Sequence, residues 1–206
     1  MRFIDLTQPI TNKMLVYPGD KPPTLYQTDY IQKNTYTNFE LTTGMHVGTH
    51  IDGPSHMIDK TPTIDEIPLE YFVGKACIID IQNEKEFSDV QKVRKISAGC
   101  SILLFHTGRG DQFSTESYFS NYPTISKEVA ECISNLAVKM IGIDSCSPDK
   151  APYEVHKILF NKGILIAENL MNLHLLLNED LFNIVALPLK VATDSAPARV
   201  IAIIYE

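Results

Sequence analysis

Ser126-Lys127-Glu128-Val129-Ala130-Glu131-Cys132-Ile133-Ser134-Asn135-Leu136-Ala137-Val138-Lys139-Met140-Ile141-Gly142-Ile143 sets a helix pattern directly before a strand pattern. Ser126 is a candidate N-cap, and Glu128 and Glu131 put acids in the early turns, which predicts a helix over Ser126 to Leu136. Val138 to Ile143 is apolar and reads as a strand. The same pairing recurs downstream. Tyr153 to Asn161 reads as a helix closed by Gly163, and Ile164 to Ala167 follows as a strand. Upstream, Lys75 to Ile81 and Ser101 to His106 are apolar and β-branched, the pattern of buried strands. Ile184 to Leu189 and Ala198 to Tyr205 complete a strand-rich second half. In the first third, Leu25 to Tyr30 and Tyr36 to Thr42 alternate as half-buried strands. The expected class is α/β (or α+β), with a mixed β-sheet flanked by helices.

The chain has 206 residues, enough for one domain with a sizeable core. Its Pro/Gly clusters are short and read as loops, so residues 1–206 are expected to form a single domain. The formal net charge is −7 and no Lys/Arg stripe is present, which argues against nucleic acid and anionic membrane surfaces as partners. Asp5 interrupts the N-terminus and no apolar run approaches the roughly 20 residues of a membrane span, so a cytoplasmic location is expected. Cys77, Cys100, Cys132 and Cys146 form no Cys-x-x-Cys pair. They read as reduced, mostly buried thiols rather than a zinc-thiolate site.

Three of the six histidines fall within His46-Val47-Gly48-Thr49-His50-Ile51-Asp52-Gly53-Pro54-Ser55-His56. Glycine and proline make this a poor helix. In an extended chain the even-numbered His46, His50 and Asp52 share one face, with Gly48 leaving room between them, and Gly53-Pro54 turns the chain so that His56 can reach the same centre. Two imidazoles and a carboxylate suit Zn, Mn or Fe with positions left open for water.

The spacing His46-x-Gly48-Thr49-His50-x-Asp52-x-Pro54-x-His56 resembles the signature of the cyclase family of metal-dependent hydrolases, which includes bacterial kynurenine formamidase and isatin hydrolase. Tyr17-Pro18-Gly19-Asp20, Gly142-Ile143-Asp144, the run Ile164 to Leu170, Pro188-Leu189-Lys190 and Ala196 to Arg199 extend the resemblance over nearly the whole chain. The resemblance implies that His46, His50 and Asp52 ligate a first ion. It implies that Asp52, His156 and Glu168 hold a second, and that His56 transfers protons. It makes Tyr17 a substrate-contacting aromatic at a position where kynurenine formamidases usually carry Trp, a residue this chain lacks. It also implies a homo-oligomer, at least a dimer. From the residues alone, His156 on its helix reads as a core histidine, whereas Glu168 ending an apolar strand needs a partner or a cation.

The remaining candidates are weaker. His106-Thr107-Gly108-Arg109-Gly110 reads equally as a site mouth or a plain turn, His174 among leucines reads as structural, and Cys146 beside Asp144 lacks a nucleophile motif. The expected cofactor is a divalent metal, Zn or Mn, as one or two ions per subunit. The expected reaction is hydrolysis of a small amide, formamide or cyclic amide by an activated water, with His56 moving the proton. N-formylkynurenine hydrolysis is the narrower reading. A metal-binding protein without turnover is the rival, and it leaves His56 without a purpose.

Overall fold

A computed structural model describes residues 1–180 and 182–205. Its strands are β1 (Arg2–Asp5), β2 (Thr24–Asp29), β3 (Asn38–Thr42), β4 (His50–Asp52), β5 (Val73–Asp80), β6 (Glu86–Phe87), β7 (Ile102–His106), β8 (Thr124–Ile125), β9 (Met140–Ile143), β10 (Leu165–Glu168), β11 (Phe182–Pro188) and β12 (Ser195–Ile204). The α-helices are α1 (Ile31–Asn34), α2 (Val90–Ile96), α3 (Lys127–Ile133) and α4 (Glu154–Phe160). The class is the expected one, a mixed sheet flanked by helices. Element ends shift by a few residues from the sequence reading, and α3 starts where Ser126 accepts a hydrogen bond from Val129 N. β1, α1, β6, α2 and β8 are elements that the sequence pattern did not single out, and β4 is the His50–Asp52 end of the extended segment read around the histidines.

The main sheet runs β1-β12-β11-β5-β7-β9-β10-β4, and β4 also pairs with the start of β12. That second pairing closes a ring. The apolar strands β5, β7, β9 and β10 are mutually parallel, whereas β4, β11 and β12 join antiparallel. Of the parallel strands, β7, β9 and β10 are buried throughout and β5 chiefly from Ala76 to Ile79. Leu104, Ala167, Ile51, Ala196 and Val200 face an inner core, and Leu103, Ile141 and Ile166 face an outer core shared with Val93, Val129 and Leu159 of the helices. The apolar run ending in Tyr205 is an internal strand, with β1 and β11 on either side of β12.

The short β4 is wedged between β10 and β12, and its register determines what surrounds it. Glu168 lies opposite His50, and Ser195 lies opposite Asp52. Ile51 points inward with Ala167 and Ala196, so His50 and Asp52 point to the outer face. One sequence expectation changes here. Residues 45–49 form a turn rather than a strand, so the even-number rule covers His50 and Asp52 but not His46.

Candidate active site

The outer face of β4 opens on a cavity of about 390 Å³ lined by all seven residues that the sequence singled out: Tyr17, His46, His50, Asp52, His56, His156 and Glu168. His50 and Asp52 are carried by β4 and Glu168 by the end of β10. His46 arrives from the preceding turn. Gly48 takes φ +67 in that turn, and a Cβ there would meet Met14 and Ile10 in ordinary contact. The glycine therefore serves the backbone, not clearance for an ion. Gly53 and Pro54 lead into a single 3-10 turn, Pro54–His56, which folds His56 back until its ring centre lies 4.3 Å from that of His46. His156 comes from α4, whose Val155, Leu159 and Phe160 pack on the sheet.

Each imidazole has one nitrogen held by an oxygen. His50 Nδ1 donates to Gly48 O at 2.8 Å, which leaves its Nε2 without a hydrogen-bond partner, 3.3 Å from Asp52 Oδ1 and 3.5 Å from Glu168 Oε2. His156 Nδ1 lies 2.6 Å from Asp149 Oδ1, and its Nε2 lies 3.4 Å from Glu168 Oε1. Asp149 also accepts from Val155 N, so a single carboxylate fixes both the start of α4 and the ring. His46 Nε2 lies 2.9 Å from Asp194 Oδ2, and its Nδ1 lies 2.9 Å from Asp52 Oδ1. Anchoring one ring nitrogen while presenting the other is how proteins orient metal-binding histidines.

His50 Nε2, Asp52 Oδ1 and Glu168 Oε1 are buried and have no hydrogen-bond partner. Buried polar atoms are costly when left unpaired, by about 1–3 kcal/mol each and more when charged. Their convergence fits a cation among them. His50, Asp52 and Glu168 offer ligand atoms within 4.8 Å of one another, and so do His46, Asp52 and His56; Asp52 belongs to both groups. Among the described residues, no Lys or Arg lines the cavity to balance its acids. The nitrogen and carboxylate donor set suits a transition-metal dication.

The titration directions follow from the same crowding. Burial works against charge on His46, but the Asp52 and Asp194 carboxylates beside it outweigh it and raise its pKa to about 9. Burial likewise opposes His156, and Asp149 and Glu168 raise it to about 10. Burial alone would raise Asp52, yet His50 and His46 hold it well below the usual carboxylate range. Glu168 is pushed up, chiefly by burial and in part by Asp52. These are the values of a site whose only positive charges are protons, which a dication would displace.

The opposite wall is apolar and aromatic. Tyr17 packs edge-on against Phe119, with ring centres 6.0 Å apart, and its hydroxyl hydrogen-bonds to Tyr153, which together with burial raises its pKa to about 12. Phe113 and Met57 complete that wall.

Of the lesser candidates, Arg109, His106 and His174 lie outside the cavity lining. Arg109 donates to the carbonyls of Ser117 and Ser120 and so ties down its loop, the plain-turn reading. His106 is buried between Asp80 and the Thr107–Asp144 cluster, away from the cavity. His174 lies at the surface, 3.8 Å from Asp111. Cys146 does line the cavity, but burial pushes its thiol up to about 12, the wrong direction for a nucleophile. Sequence reasoning missed Asp149, Asn169 and Asp194. Asn169 donates to Gly48 O and accepts from the Tyr118 hydroxyl, bracing the His50 turn. It directly follows Glu168, an adjacency that was visible; Asp194 carries no local signal at all.

Residues 4–150 match a family model described as "Putative cyclase". The chain is 28% identical to the kynurenine formamidase of Bacillus mycoides (strain KBAB4) over 209 residues, covering 97% of this chain and 96% of the relative. A solved structure from Bacillus stearothermophilus, described as a predicted metal-dependent hydrolase, is 26% identical with a TM-score of 0.78 and covers 98% of this chain and 97% of its own. Isatin hydrolase A from Labrenzia aggregata shares the fold with a TM-score of 0.88 at 22% identity, covering 100% of this chain and 94% of its own.

Proposed function

The chain belongs to the cyclase family of metal-dependent hydrolases, and from that premise we propose that it cleaves a small aryl formamide or cyclic amide. His46, His50, Asp52, His156 and Glu168 hold one or two divalent ions, Zn or Mn, and His56 carries the proton. The observation that supports this most is the set of buried, partnerless donors at His50, Asp52 and Glu168 inside a substrate-sized cavity.

A dication held by these residues would supply a water whose pKa is lowered from 15.7 to about 7 and a Lewis acid for an acyl oxygen. The chain's own residues supply the rest. Tyr17, Phe113 and Phe119 form the wall against which an aryl group packs and from which water is excluded. Asp194 accepts from His56 Nδ1, which leaves Nε2 as the basic nitrogen of that ring. His56 takes a proton from the attacking water and returns it to the departing nitrogen. Water thus adds across the C–N bond, giving a carboxylate (formate from a formamide) and an amine.

The 28% relatives make N-formylkynurenine the first substrate to test, and Tyr17 in the aromatic wall is compatible with an aryl ketone side chain. The protein works as at least a homodimer, in keeping with the exposed apolar hairpin of β2 and β3. Four free, buried cysteines suit a reducing, cytoplasmic setting.

The test is elemental analysis of purified and metal-reconstituted protein, followed by a panel of N-formyl and cyclic amides that includes N-formylkynurenine. Zn or Mn content with turnover of a panel member is expected. Protein that binds no transition metal even after reconstitution ends the reading, and full metal occupancy with no turnover on any amide favours a binding protein.

A further inference from the structure

Asp194 has no sequence signal and belongs to no ligand group, yet one of its oxygens touches two of the site's imidazoles. Its Oδ2 lies 2.9 Å from His46 Nε2 and 2.8 Å from His56 Nδ1. These contacts are geometrically specified. Asp194 immediately precedes Ser195, which is in register with Asp52. Its carbonyl accepts from Gly53 N at 2.9 Å, and the carbonyl of Thr193 accepts from Ile64 N at 2.8 Å. Any Cβ at position 53 would lie 3.1 Å from Asp194 O, so the glycine of the Gly53-Pro54 turn lets the two segments approach. The 3-10 turn that carries His56 and the loop that carries Asp194 are thus fastened to each other by backbone.

A carboxylate oxygen only accepts, so both ring nitrogens facing it are N–H donors. That assigns the tautomers. His46, with hydrogen held on Nε2, directs Nδ1 at Asp52 as the nitrogen left to ligate once an ion displaces its proton, and His56, with hydrogen on Nδ1, leaves Nε2 to carry the proton. We propose that Asp194 is a positioning residue whose single oxygen sets the tautomer and orientation of His46 and His56 together, coupling the ligand to the proton carrier. The inference rests on the reading of His46 as a ligand and His56 as a proton-transfer group. It explains why the two rings lie 4.3 Å apart although they stand ten positions apart with a turn between them.

Removing a carboxylate that orients a metal-binding histidine typically costs 10–100-fold in metal affinity or activity. The experiment compares Asp194→Ala, Asp194→Asn and Asp194→Glu with wild type, each in the zinc-loaded protein and each repeated in a His56→Ala background. Zinc affinity is measured by chelator competition. We expect Asp194→Ala to weaken zinc about 10–100-fold but to fill the same number of sites at saturation. With zinc saturating, kcat should fall about 10–100-fold while KM changes less than about 3-fold. Asp194→Asn, matched in volume, should do no better, and Asp194→Glu should recover part of the loss. Nitrogen-15 spectra of the imidazoles should report hydrogen on Nδ1 of His56 in wild type and its loss in Asp194→Ala.

The double variant discriminates. If Asp194 acts on rate through His56, Asp194→Ala costs less than about twofold in kcat when His56 is already Ala, while the affinity loss through His46 persists. The same kcat loss in both backgrounds overturns the proposal, as does unchanged zinc affinity. A lower zinc stoichiometry at saturation makes Asp194 a ligand and also overturns it. Should Asp194→Ala not fold, the isosteric Asp194→Asn carries the same comparisons. Wild-type protein that binds neither zinc nor manganese sinks the reading of the site itself, and the role of Asp194 with it; metal binding that the Asp194 variants leave untouched sinks the role of Asp194 alone.

Discussion

At the residue scale, His50 and His56 sit six positions apart with opposite surroundings. His50 is buried with a partnerless Nε2, whereas His56 is partly open and hydrogen-bonded to Asp194. His50→Ala should therefore lose metal and activity together. His56→Ala should keep the metal and lose about 10²–10⁴-fold in kcat, equivalent to roughly 3–5 kcal/mol of barrier. Metal content and kcat measured on the same samples decide the matter; release of metal by His56→Ala would make it a ligand, since it shares a possible ligand group with His46 and Asp52. Protons make a second test. His46 and His156 are raised to about 9 and about 10 against an unfolded value near 6.5, so the metal-free fold is stabilised by their protonated forms. That contribution is complete below pH 6.5 and is lost as pH climbs through 9 and 10. The Tm of metal-free protein should fall across that range. Metal needs the neutral rings, so apparent metal affinity should rise over the same range, and proton release on binding at pH 7 should be detectable by calorimetry in buffers of different ionisation heat. A flat Tm profile for the metal-free protein would refute the assignment. On the aromatic wall, Tyr17→Phe should keep kcat/KM within about 3-fold, and Tyr17→Ala should lose about 2- to 10-fold, the worth of an aromatic pair. If both match wild type, Tyr17 does not meet substrate.

At the element scale, the site depends on short pieces held by longer ones. β4 has three residues and gains its position from β10 and β12 on either side. The loop after β7 carries Phe113 and Phe119 to the cavity and is fastened by Arg109 and by Gly110, whose added Cβ would lie 2.8 Å from the carbonyl of Leu170. Backbone cannot yield as a side chain can. Gly110→Ala should therefore destabilise by about 1–3 kcal/mol, seen as a lower denaturation midpoint with unchanged m, and should raise KM by displacing Phe113. An unchanged midpoint would mean that the loop is looser than its contacts imply. The long apolar strands and α3 and α4 were legible because burial imposes periodicity over many residues. β4 was legible only in part, its His50–Asp52 end as an extended segment but not where it stops short of His46, and α2 was not, because it offered one fully buried apolar position, Val93, among charged neighbours.

At the scale of the whole molecule, the ring closes where β4 meets β12, and the cavity opens beside that seam. The β2–β3 hairpin stands apart as its own two-stranded sheet and exposes Tyr26, Tyr36 and Phe39 at 49%, 57% and 57%. Two strands alone are marginal in water, and apolar surface of this kind calls for a cover. Sedimentation should find a species of at least twice 23.1 kDa, and a 23.1 kDa species alone at micromolar concentration would refute the homodimer.

The amino-acid sequence by itself determined the class of fold, the donor types and their clustering, because burial periodicity and ligand spacing are local properties that a chain displays before it folds. His46, His50, Asp52 and His56 could be read within eleven residues, and Glu168 stood out as an acid at the end of an apolar strand. The tertiary structure alone decided which atoms face one another. Asp194 reaches His56 across 138 positions because β12 pairs with β4, and Asp149 reaches His156 because the loop before α4 folds it back onto Val155 N in the helix's first turn. It also placed His46 on a turn rather than a strand, since Gly48 enters the left-handed region there. Hydrogen-bond partners distant in sequence leave no spacing to read, and only strand register and chain closure bring them within 3 Å.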